Sequence, residues 1–169
     1  MSPTIVDVLR SQLEMEIVRS RRALEQVPAN QQAWKPHDRS MSFGYLALMV
    51  ATIPSWVAMI LQKDELDVAP VSGSTHVTPP STSAEYLAAL EKAADEARAA
   101  LGAATDEHLA TSWRLLAAGQ VVVRSSRREM IQDTLSHWSH HRGQMTVYLR
   151  LMGAQVPALF GPSADDARF

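Results

Sequence analysis

Residues 127–152 constrain most tightly what this chain can fold into. Ile131, Leu135, Trp138, Met145, Leu149 and Met152 recur at the spacing of one helix face, and no proline interrupts them. Gly153 follows as a helix stop, and Pro157 prevents continuation shortly afterwards. A long helix with one apolar stripe must lay that stripe against other helices, so the rest of the chain has to supply them.

It supplies three. Pro3 is tolerated in a first turn, Ile5, Leu9, Leu13, Ile17 and Leu24 mark the buried face of a first helix, and Pro28 ends it. Glu14, Glu16, Arg19 and Arg22 are expected on its wetter side. Residues 28–40 read as a connection, with Trp34 folded back on the core. Ser40 or Ser42 then caps a second helix over residues 42–63, apolar nearly all round, hence central, and kinked at Pro54. Residues 64–83 collect Pro70, Gly73, Pro79 and Pro80 among Ser and Thr, which marks a long loop of the kind that often borders a site. A third helix, capped by Ser81 or Ser83 with Glu85 near its positive end, runs through Tyr86, Leu87, Leu90, Ala94 and Ala97 to Leu101, and Gly102 fits its end. Thr105-Asp106-Glu107 opens a short helical turn, and Trp113 to Val123, split by Gly119, predicts a small hairpin or irregular arm. The expected architecture is all-α: an antiparallel four-helix bundle with long connecting loops and an arm before helix 4, one domain over residues 1–169.

Composition narrows the chemistry. With 169 residues and 46% apolar content the chain can bury one sizeable core. Its formal net charge of −2 gives no footprint for nucleic acid, and Arg21-Arg22 and Arg127-Arg128 read as solvated helix faces rather than a basic patch. There are no cysteines, which removes disulfides, thiolate ligands and a protein thiol nucleophile together. Any thiol chemistry must use a thiol brought by the substrate. No basic segment followed by an apolar run opens the sequence, and Ser, Thr and Pro break the apolar stretch from Phe43 to Leu61, which predicts a soluble cytoplasmic protein with no membrane partner.

Three imidazoles fall within His137-Trp138-Ser139-His140-His141. On a helix His137 and His141 lie one turn apart on the same side, so both can reach one ion, while His140 points elsewhere, toward solvent or a dimer partner. The same polar stripe carries Thr134, Gln144 and Tyr148 beside the core face, well placed to line a cleft between helices. Gln144 and Tyr148 are therefore the candidate substrate-orienting residues. A catalytic zinc-type centre uses three protein ligands and keeps one position open, so the histidine pair is one ligand short. Asp133, four residues before His137, is open to three readings: a direct ligand, an acceptor for the second imidazole N–H, or a surface carboxylate paired with a cation. Two cleft histidines bonded to their neighbours, without metal, is the plain alternative. His37 and His108 read as ordinary surface histidines.

The segments Met41-Ser42-Phe43-Gly44-Tyr45-Leu46-Ala47 and Ala51-Thr52-Ile53-Pro54-Ser55-Trp56, the run from His137 to Gly143-Gln144, and Tyr148-Leu149-Arg150-Leu151-Met152-Gly153 together resemble the DinB/YfiT-like superfamily. The tail from Val156-Pro157 to Ser163-Ala164-Asp165 is similar too. That resemblance implies a four-helix bundle, usually a homodimer, often carrying a divalent metal such as Zn or Ni on three histidines, one from helix 2 and an HxxxH pair from helix 4. It also implies thiol-dependent transferases and isomerases that use low-molecular-weight thiols (mycothiol, bacillithiol or glutathione) among members with known activity. The HxxxH pair falls on His137 and His141, and the helix 2 histidine falls on Met49. A thioether is a soft ligand that suits Cu(I) far better than zinc or nickel, and Met is a common core filler. Asp133, a loop histidine such as His76 or His37, and the Met49 thioether are the candidates for completing the set.

Two functions follow. One is a DinB-like enzyme of unassigned reaction, a metal-dependent thiol-transferase-like protein with a degenerate site and a small molecule in its bundle cleft. The other is a non-catalytic binding or interaction protein that lost the metal site when position 49 became Met. Binding of nucleic acid has no support in charge or motif.

Overall fold

Capping boxes set where the long helices begin. In α1 (Ile5–Leu24) the Thr4 hydroxyl accepts from the Asp7 N–H, while the Asp7 carboxylate accepts from the Thr4 N–H. In α4 (Ser83–Ala103) Thr82 and Glu85 make the same exchange, so the cap is Thr82 rather than Ser81 or Ser83. Both serines are otherwise engaged: Ser81 donates to Glu85, and the Ser83 hydroxyl donates to the Leu24 carbonyl. Gly102 lies inside α4, which ends one residue later at Ala103. In α6 (Arg127–Leu151) Ser126 and Glu129 form the box, and the hydroxyls of Ser125 and Ser126 hold the Glu129 carboxyl down at about 2. α6 ends as its sequence demands. Gly153 takes φ +75°, its N–H bonds the Arg150 carbonyl, and the Ala154 N–H reaches back to Leu149, a Schellman closure that strains a residue with a Cβ. The structure, a computed structural model, describes residues 3–69 and 77–168.

The expected second helix is two. α2 (Phe43–Thr52) and α3 (Pro54–Gln62) meet at a 50° bend around Ile53. Ser42 occupies the α2 N-cap position but makes no side-chain cap bond. Pro54 has no N–H, so the carbonyl four residues back, on Val50, loses its helical partner. The Trp138 indole takes that place, donating to the Val50 carbonyl at 2.7 Å inside the core. α1, the α2–α3 pair, α4 and α6 pack their apolar faces on one another, with Leu9, Leu13, Phe43, Leu46, Tyr86, Leu90, Ile131 and Trp138 fully enclosed. Trp34 folds back against this core, edge-on to Tyr148. No single helix among the described residues is long and apolar enough to cross a membrane; the α2–α3 pair passes by length and composition only when its two bent halves are joined.

The chain is not purely helical. After α5 (Asp106–Leu109), β2 (Ser112–Ala117) and β3 (Gln120–Ser126) form the hairpin, joined at Ala118-Gly119 with φ of +50° and +75°. Positive φ at both turn residues matches the twist of the flanking strands. β1 (Glu65–Asp67), inside the segment expected to be all loop, pairs in parallel with β2 and completes a three-stranded sheet in the order β1-β2-β3. Asp67 explains the attachment. Its carboxylate accepts from the N–H groups of Ala69, Ala118 and Gly119, pinning the end of β1 to the hairpin turn.

Two charged residues assigned to water are buried. Glu16 and Arg142 pair between α1 and α6, where Arg142 is fully enclosed and also donates to Ser20 and Ser139. Arg19 donates to the same Glu16 carboxylate at 2.6 Å and lies against the Phe160 ring at 4.1 Å, so the C-terminal tail roofs the pair. Arg127 likewise is no solvated face. Its guanidinium donates to Thr111, to the Ser112 and Lys63 carbonyls and, at 2.5 Å, to Asp64, fastening the end of α3 and the start of the hairpin to the first turn of α6.

Candidate functional site

A cavity of about 630 Å³ lies beside α6, between α3 and the sheet. Trp56, Met59 and Ile60 line it from α3, Leu66 and Val68 from β1 and the residue after it, and Trp113 and Leu115 from β2. α6 closes it with Met130 and then a polar group: Asp133, Thr134, Ser136, His137 and His140. The volume lies in the range of small-molecule sites, and so does the plan of an apolar wall ending on a few polar side chains. The Trp113 indole N–H is buried with no partner among the described residues.

His137 and His141 meet as the i, i+4 spacing requires. Their Nε2 atoms lie 2.7 Å apart, and His141 Nδ1 sits 2.9 Å from Gln144 Oε1. With Gln144 Oε1 as the acceptor, His141 carries its proton on Nδ1, its Nε2 accepts, and His137 donates from Nε2. His137 Nδ1 is then a lone pair with no protein partner among the described residues. His141 is buried and His137 half-buried, with the Trp56 ring 5.5 Å from His137. Burial lowers the His137 pKa below its ordinary value; the neighbouring His141 works in the same direction and Asp133 opposes both.

The pair was tested as a metal site by its donor set. Two imidazole nitrogens converge, and Gln144 holds His141 in the tautomer a ligand needs. Yet 2.7 Å is a hydrogen-bond separation, whereas two nitrogens on one tetrahedral zinc at ordinary bond lengths stand about 3.3 Å apart. No third His, Cys, Asp or Glu joins them among the described residues. Met49 is half-buried against the core, consistent with a packing role. These residues do not make the three-histidine divalent site.

The other candidates disperse. Gln144 touches His141 but is not in the cavity wall, and the Tyr148 hydroxyl donates to the Met41 carbonyl, also away from that wall. His37 is exposed, its Nδ1 accepting from the Arg39 N–H. His108 is less ordinary than its sequence suggests, half-buried with Nε2 2.9 Å from the Leu61 carbonyl. His76 lies outside the described residues. His140 is exposed at the cavity rim. Sequence reasoning missed Trp56, Trp113 and Met130 as wall residues, because each also reads as ordinary core on its own element.

Comparison with known proteins gives one consistent result. A model of the DinB family matches residues 19–168. A DinB-like protein of Bacillus cereus ATCC 10987 superposes with a TM-score of 0.69 at 22% identity, over 95% of this chain and 100% of that one. A DinB-like protein of Bacillus subtilis gives a TM-score of 0.65 at 19% identity, over 86% of this chain and 92% of that one. At those identities the likeness is one of fold. The uncharacterized protein YrdA of Bacillus subtilis is 40% identical over 37 residues, so this chain covers 22% of that relative's length.

Proposed function

We propose that this chain, which belongs to the DinB family, binds a small and mostly apolar molecule in the cavity between α3, the sheet and α6, with the His137–His141 pair at the polar end. The observation that carries the reading is the cavity itself: an apolar wall built from three separate elements that ends on an imidazole with a free nitrogen. We read α2 and α3 as one bent second helix of a four-helix bundle, and a twofold homodimer as the assembly, which sedimentation would test.

In this reading His137 Nδ1 accepts a proton or a hydrogen bond from the ligand. His141 holds the ring in place through the Nε2 contact, and Gln144 fixes His141 in turn. The lowered pKa of His137 keeps that nitrogen unprotonated at neutral pH, the state a general base or an acceptor needs. Two imidazole nitrogens at hydrogen-bond separation are a poor donor set for a divalent ion. Thiol transfer on a metal is the second reading. It is favoured only by the convergence of the two Nε2 atoms and the orienting contact from Gln144.

An uncharged fluorescent probe, N-phenyl-1-naphthylamine, tests the cavity. Wild-type protein should bind it, and Leu115→Trp and Met130→Phe, which fill the cavity from opposite sides, should each weaken binding at least about tenfold with helicity unchanged. Equal binding by all three proteins would sink the reading. Elemental mass spectrometry on tag-free protein separates the two chemistries. Metal well below one equivalent is expected, and a full equivalent lost in both His137→Ala and His141→Ala would install the second reading instead.

A further inference from the structure

We infer that the cavity selects an organic amine or ammonium ion with an apolar body, and selects against anions. This rests on the cavity being a ligand site, as proposed above, and adds the charge of what it takes.

Asp133 is the sole formally charged side chain in the wall. It is exposed at the rim, and among the described residues it makes no ion pair and no side-chain hydrogen bond. Among the described residues no lysine or arginine lines the cavity. The nearest cation along β2, Arg114, alternates with the wall residues Trp113 and Leu115, faces the other way and pairs with Glu65 at 2.5 Å. Residues 64–69, which contribute Leu66 and Val68 to the wall, contain neither Lys nor Arg.

The neutral part of the wall agrees. Trp56 and Trp113 contribute indoles, the strongest aromatic partners for a cation, and Met59 and Met130 add polarizable thioethers. An anion entering here would give up its hydration and meet a carboxylate with no cation to replace the water. An ammonium group would meet Asp133 at the rim while its apolar body displaced water from the indoles. The same absence of a cation argues against a multiply charged thiol cofactor seated in this cavity.

Three naphthalene probes of one shape test the charge: aminomethyl, hydroxymethyl and carboxylate derivatives. Binding is followed at about pH 8, where ordinary histidines are neutral, by quenching of tryptophan fluorescence and by calorimetry. The ammonium form should bind at least about tenfold tighter than the alcohol and tighter still than the carboxylate. Asp133→Asn should bring the ammonium down to the affinity of the alcohol and leave the alcohol unchanged. A carboxylate or alcohol that binds as well as the amine overturns the inference while leaving the cavity reading intact. So does a preference that survives in Asp133→Asn. No binding by any of the three overturns the cavity reading and this inference with it.

Discussion

α6 carries two polar features on neighbouring sides, and they are opposites. Toward α1, Arg142 is fully enclosed, bonded to Glu16, Ser20 and Ser139, and roofed by the tail through Arg19 and Phe160. Toward α3, His137 is only half-buried beside the buried His141; one of its ring nitrogens and the exposed Asp133 have no protein partner among the described residues, and a cavity lies in front of them. Both sets of side chains cost desolvation, but Arg142 meets Glu16, Ser20 and Ser139 inside the protein with its Nε left over, whereas His137 and Asp133 face a cavity. Closed polar groups fix how helices pack; open ones beside a cavity are there to meet something else.

Stability measurements can break that contrast. Glu16→Ala leaves a buried guanidinium without its counter-ion and should cost about 3–5 kcal/mol in a denaturant titration. The double change Glu16→Leu with Arg142→Met should recover most of it, because well-packed apolar groups replace a buried ion pair at little net cost. A single Glu16→Ala that costs under about 1 kcal/mol would mean the pair is not closed at all.

On the other side the sensitive quantity is ligand affinity. Met49→His should raise zinc affinity on the order of a hundredfold, about 2.8 kcal/mol, if the pair can open from its hydrogen bond into an ion-holding arrangement. Calorimetric titration of wild-type and variant protein decides it, and an unchanged affinity would show that the pair is fixed as a proton-sharing unit.

The smallest effect is pH dependence. His137 has a lowered pKa in the fold, so below about pH 6.5 the unfolded chain binds the proton more readily than the native one. Its contribution to stability is present above that value and is lost as pH falls through the folded pKa. Melting temperatures of wild type and His137→Gln should therefore converge or cross between about pH 7.5 and about pH 5, the wild type falling faster. Parallel curves would mean that burial does not hold the imidazole neutral.

Much of this was legible in the sequence, for reasons of range. Helix stripes, the Gly153 stop, the Gly119 hairpin and the approach of His137 to His141 depend on residues within a few positions of one another. β1 was not legible. Glu65-Leu66-Asp67 is too short to show alternation, and its parallel partner lies far along the chain. Glu16 and Arg127 were misplaced because charge is read as exposure until the partner is known, and Arg142 and Asp64 are distant in sequence. The polar stripe pointed to a cleft beside it, but the wall facing that stripe was not legible, since no segment contributes more than part of it.

The bend at Pro54 has a geometric corollary. α3 is 9 residues long and turned 50° from α2, so its far end stands about 10 Å from where a straight continuation would have put it, roughly one helix diameter. So turned, α3 brings Trp56, Met59 and Ile60 to the wall of the room a ligand would fill. Substitutions along the wall can re-shape that room, and lineages can exchange one guest for another, without first having to excavate the core.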